Sequence, residues 1–95
     1  MKPKSRKFGK HTFKYKYVDS DDPNSPDHNG FVLLEQNKIF ISNQPDSPIE
    51  RVIIHEDLHA VLYSYGIRDL DRHFEHAIIE AISDYICDYY QPKKP

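Results

Sequence analysis

Pro48-Ile49-Glu50-Arg51-Val52-Ile53-Ile54-His55-Glu56-Asp57-Leu58-His59-Ala60-Val61-Leu62-Tyr63 decides how this chain is read. Its start is that of a helix. Ser47 suits the cap, Pro48 suits the first helical position, and Glu50 completes a capping box. Gly66 supplies a left-handed stop, so the helix is predicted to run to about Tyr65. On such a helix His55 and His59 sit one turn apart on one face, where two imidazoles can hold a single zinc ion. Glu56 lies about 100° round the axis, poorly placed as a third ligand but able to reach a water on the metal. The run therefore reads as H-E-x-x-H, two ligands and a general base carried by one helix.

Around this run the chain is short and mildly acidic. Its 95 residues, with net charge −2, make one expected domain, and a core this modest benefits from a metal as a staple. Seven Tyr and five Phe compensate for a hydrophobic fraction of only 38%, because large rings build a core from few positions. The single cysteine, Cys87, rules out an internal disulfide. No apolar run is long enough to span a bilayer, and no apolar segment follows the basic Met1–Lys7, so a cytoplasmic location is expected. Charge argues against nucleic acid as a partner, since the helical region carries only Arg51, Arg68 and Arg72.

Upstream, residues 1–10 read as a mobile basic arm, with a late joining to the first strand as the alternative. His11–Val18 alternates Phe13, Tyr15 and Tyr17 with lysines and threonine, the period of a half-buried strand. Residues 19–29, with two prolines and four aspartates, read as a solvated loop lacking the Gly and distal Glu of a calcium loop; His28 is a candidate for the rim of a cleft. Gly30–Glu35 and Lys38–Ser42 read as a strand pair turned at Gln36-Asn37. The expected architecture is α+β: a small antiparallel sheet of about three strands, then two antiparallel helices. One of the last two strands is expected at the sheet edge nearest the helix. The tail 92–95 is expected to be flexible.

A second helix is predicted from a cap at Asp69 or Asp71 to about Tyr90, before Gln91-Pro92. At about 100° per residue, His73, His76, Asp84 and Cys87 fall within about 40° of Glu80. Phe74, Ile78, Ile82, Tyr85, Ile86 and Tyr89 fall on the opposite half and are expected to pack the core. Glu80 is the preferred third zinc ligand, with His76 and His73 as rivals; Glu75 points about 140° away and is set aside. Asp84, one turn on, is placed to accept the free imidazole N–H of His55.

His55-Glu56-x-x-His59 followed 21 residues later by Glu80-x-x-x-Asp84 resembles the gluzincin pattern of zinc metallopeptidases. Over roughly residues 30–90 the chain resembles the minimal metallopeptidase-like proteins of the ImmA/IrrE-like branch found in phage and prophage genomes. The resemblance implies a zincin-like fold and one zinc ion held by His55, His59 and Glu80. It also implies Glu56 as general base and later proton donor to the leaving amine, Asp84 behind the ligands, and a peptide or protein substrate. If the chain is phage-encoded, its compartment is the host cytoplasm. The downstream His or Tyr that larger gluzincins use for the oxyanion has no marked counterpart here. His76, Tyr63 and His73, with Tyr65 and Arg72, are the nearby candidates. The alternative reading is a weakly active or inactive zinc-binding module that inhibits or bridges another protein.

Overall fold

The computed structural model describes residues 2–19 and 29–90. Residues 20–28 of the loop expected at 19–29, with His28, and the tail at 92–95 lie outside the described residues. Four strands come first, β1 (Ser5–Phe8), β2 (His11–Val18), β3 (Gly30–Leu33) and β4 (Lys38–Ser42). Two helices follow, α1 (Ile49–Ser64) and α2 (Arg72–Tyr89). The fold is α+β, as expected, but the sheet is not three-stranded and antiparallel. Among the described residues it has four strands in the order β1-β2-β4-β3, and β2 runs parallel to β4.

The extra strand comes from the segment expected to be a mobile arm. Gly9, at φ +59°, makes the tight turn that a side chain would strain, and β1 folds back antiparallel on β2. Phe8 then reaches Phe13, with ring centroids 6.0 Å apart. Parallel pairing arises because the chain enters the far edge of the sheet as β3 and returns through a hairpin. That return inserts β4 between β3 and β2. The hairpin turn is a single 3-10 turn, Leu34–Gln36, so β3 ends at Leu33 rather than Glu35. Asn37 closes it in the left-handed region at φ 53°, as its residue type suggests.

Alternation along β2 buries Phe13 and Tyr15 and leaves Lys14 and Lys16 in solvent. On β4, Ile39 and Ile41 are fully buried on the same face as Val52, Ile53 and Ala60 of α1. Phe40 turns to the other face, where it stacks on its cross-strand partner Phe31 at 4.7 Å. Burial of these apolar groups is the main force holding α1 to the sheet.

Helix α1 starts one residue later than a Ser47 cap requires. Pro48 occupies the cap position, no side chain caps the helix, and the expected capping box does not form. Its end follows the expectation. Gly66, at φ 83°, allows its N–H to reach the Tyr63 carbonyl at 3.1 Å and the Ile67 N–H to reach Leu62 at 2.9 Å, a Schellman stop. Asp71 caps α2, accepting from the backbone N–H groups of His73 and Phe74. The facing of α2 differs from the sequence reading. Ile79 and Ser83 are its buried residues, whereas Phe74, Ile82, Tyr85 and Tyr89 are exposed. Among the described residues α2 packs mainly against α1, which itself packs on the sheet, and the aromatic side of α2 is exposed. No helix among the described residues is long and apolar enough to cross a membrane.

Candidate metal centre

Contacts between the helices run in opposite senses: Arg51 meets Glu80 and Asp84, His55 meets Glu80, and His59 meets Glu75. The helices are therefore antiparallel, and the motif face of α1 looks at α2. His55, His59 and His76 each offer a nitrogen, and these three atoms lie within 4.8 Å of one another. His76 is the rival third ligand of the sequence reading, and the preferred Glu80 sits beside the group. One Glu80 oxygen is 3.2 Å from Nδ1 of His55 and 3.6 Å from Nε2 of His76. Its other oxygen accepts from Arg51 at 2.5 Å.

Asp84 pairs with Arg51 at 2.7 Å, and the carboxylate that reaches Nδ1 of His55 is Glu80. Glu75, set aside on helical projection, accepts from Nδ1 of His59 at 2.7 Å. Projection fixes azimuth about one axis only; it does not show that α2 brings Glu75 over the last turns of α1. The missed signal was spacing, because an acidic residue five positions before Glu80 falls where the later histidine of an antiparallel partner must lie.

Both motif histidines thus have a carboxylate at Nδ1, which leaves Nε2 as the atom free for a metal. Burial, and after it the neighbouring His59, holds the His55 imidazole below its ordinary pKa. A neutral ring is the form that binds metal.

Glu56 lies on the sheet-facing side of α1 and is only 7% exposed. Gly30 makes this possible. A Cβ there would stand 3.1 Å from the Glu56 Cγ and 2.8 Å from the Phe40 carbonyl, so only glycine lets the carboxylate lie against β3. Burial, and then the charge of Asp57, push Glu56 up to about 7. Asp57 is buried beside it but faces β1 and β2, where it accepts from Arg6 and from the Tyr15 hydroxyl. Burial raises its pKa, against the lowering pull of those two bonds.

The three histidines, Glu56, Glu75 and Glu80 line one cleft of about 780 Å³. Tyr63, Arg72 and His73 line it too, so these oxyanion or substrate candidates share the site; Tyr65 is exposed elsewhere, beside Gly9. Gly30, Phe31 and Val32 of β3 form the rim opposite α2. Among the described residues β3 is an outer strand of the sheet and β4 an inner one, so of the two strands expected at the edge it is β3 that lies there. Comparison of the chain with protein-family models, with curated proteins and with solved structures finds no match.

Proposed function

We propose that this chain is a zinc-dependent peptidase whose metal is held by His55, His59 and His76. The observation that carries the reading is the convergence of three imidazole nitrogens within 4.8 Å, in a cleft that also holds a buried glutamate next to the first histidine. The donor set fits the metal: three imidazole nitrogens lining an open cleft suit a catalytic zinc. When bound, zinc supplies Lewis acidity, lowering the pKa of water toward ~7 and polarising a carbonyl.

The chain's own residues do the rest. Glu56, with its pKa near 7, accepts a proton from attacking water at neutral pH and returns it to the leaving amine. Glu75 fixes the tautomer of His59, and Glu80 stands at Nδ1 of His55. Arg51 compensates the charge of Glu80. The outer edge of β3 offers main-chain groups to an extended peptide, which would add as a further strand across the cleft rim. Tyr63 and His73 are the cleft residues available to the oxyanion.

The test is zinc-reconstituted turnover of a quenched peptide library by wild type and by Glu56→Gln. Metal content should be equal in the two, with turnover lost in the variant. Equal turnover rejects Glu56 as base. Zinc binding with no turnover in either protein rejects the peptidase and leaves a metal-holding interaction module.

A further inference from the structure

The face of α2 turned away from the metal site carries a self-matching apolar stripe. Phe74, Ile78, Ala81, Ile82, Tyr85 and Tyr89 fall within an arc of about 100° at 100° per residue. Phe74 is 57% exposed, Ile82 39%, Tyr85 55% and Tyr89 72%; Ala81 is exposed and Ile78 half-buried. No Lys, Arg, Asp or Glu of the helix interrupts the arc, unlike an ordinary solvent-facing side. The spacing is symmetric about the midpoint between Ala81 and Ile82.

We propose that this stripe is the interface of a two-fold homodimer in which α2 packs antiparallel against α2 of a second copy. Reversal about that midpoint sets Phe74 against the partner's Tyr89, Ile78 against the partner's Tyr85, and Ala81 against the partner's Ile82. Large groups meet at the ends, and a small one sits at the centre, where the helices approach closest. A two-fold interface must be self-complementary in this way. A foreign partner imposes no such symmetry on the sequence, which is why a second copy is the occupant chosen.

The area is sufficient. At about 200 Å² per aromatic side chain, the exposed fractions of the stripe offer roughly 500 Å² per copy, and the pair reaches about the 1,000 Å² that a specific interface needs. The histidines lie on other arcs of α2, so pairing leaves the cleft open, and the inference does not depend on the peptidase reading.

Sedimentation of the full chain up to about 500 µM suits an interface of this modest size. Wild type should reach twice the 11.2 kDa chain mass, and Ile82→Asp and Tyr85→Asp should stay at the chain mass with unchanged helix content and zinc binding. In a Cys87→Ser background, Ala81→Cys should oxidise to a covalent dimer and Asp84→Cys should not. A wild type that stays at the chain mass throughout overturns the proposal. So does a dimer indifferent to Ile82→Asp, or cross-linking that is as fast from Asp84→Cys; both mean another face. If the aspartate variants fail to fold, the cysteine pair decides alone.

Discussion

Glu75 Oε2 lies 2.7 Å from Nδ1 of His59. A carboxylate accepting from Nδ1 leaves Nε2 as the nitrogen that His59 can offer to a metal. Carboxylates behind metal-ligating imidazoles typically contribute 10–100-fold in affinity, so Glu75→Gln should weaken zinc binding by about that factor without abolishing it. Competition titration against a chromophoric chelator measures this. Unchanged affinity would mean that the contact does nothing for the metal.

His76 and Glu80 occupy successive turns of α2, and both approach His55. Their surroundings differ. Glu80 is already engaged by Arg51, whereas His76 belongs to the three-nitrogen group. His55→Ala, His59→Ala and His76→Ala should each lose stoichiometric zinc. Glu80→Gln should retain it with affinity lower by about 10–100-fold, as for a group that orients a ligand. Zinc content by atomic emission checks each variant. The reverse ranking, zinc lost in Glu80→Gln and kept in His76→Ala, would exchange the two roles.

Much of this arrangement was legible because it is local. The helix carrying His55 and His59, its stop at Gly66, a cap at Asp69 or Asp71 and the left-handed Asn37 all follow from residues within one turn of the feature they control. What was illegible depends on distant partners. Nothing in Ser5-Arg6-Lys7-Phe8 reads as a strand, since its support comes from the Gly9 turn and from Asp57, some fifty residues later. Parallel pairing of β2 with β4 depends on where a hairpin inserts. A helical wheel orders the faces of α2 but cannot say which one meets α1, and the core that its aromatic side would join is filled by α1.

Asp57 is a buried carboxylate that holds two strands to a helix. Arg6 of β1 and Tyr15 of β2 both donate to it, one from each strand of the first hairpin. Removing the carboxylate leaves the Tyr15 hydroxyl without its partner in the interior, a change that ordinarily costs about 1–3 kcal/mol beyond the lost bond. Asp57→Ala should therefore destabilise the fold by about 3 kcal/mol, the charged hydrogen bond and the stranded hydroxyl together. Arg6→Ala should cost about 1 kcal/mol, because that side chain is 45% exposed and solvent screens its pairing. Urea unfolding of the three proteins gives both numbers, and equal losses in the two variants would refute this division.

Gly30 is the point where α1 and β3 approach most demandingly. Its φ is not in the left-handed region, so the backbone conformation itself admits any residue. The obstacle is space: an added methyl would stand 2.8 Å from the Phe40 carbonyl, a backbone atom that cannot swing aside, and 3.1 Å from the Glu56 Cγ. Gly30→Ala must push β3 from β4 or Glu56 from the sheet. Overpacking of this kind costs about 1–3 kcal/mol. The second effect is on chemistry, since displacing Glu56 from its buried seat moves the proposed base by part of an ångström. Turnover in Gly30→Ala should fall by about 10²-fold, the penalty of a misplaced catalytic group, while zinc content stays near one per chain. Loss of zinc together with turnover would instead show that β3 supports the whole of α1 rather than the seat of Glu56.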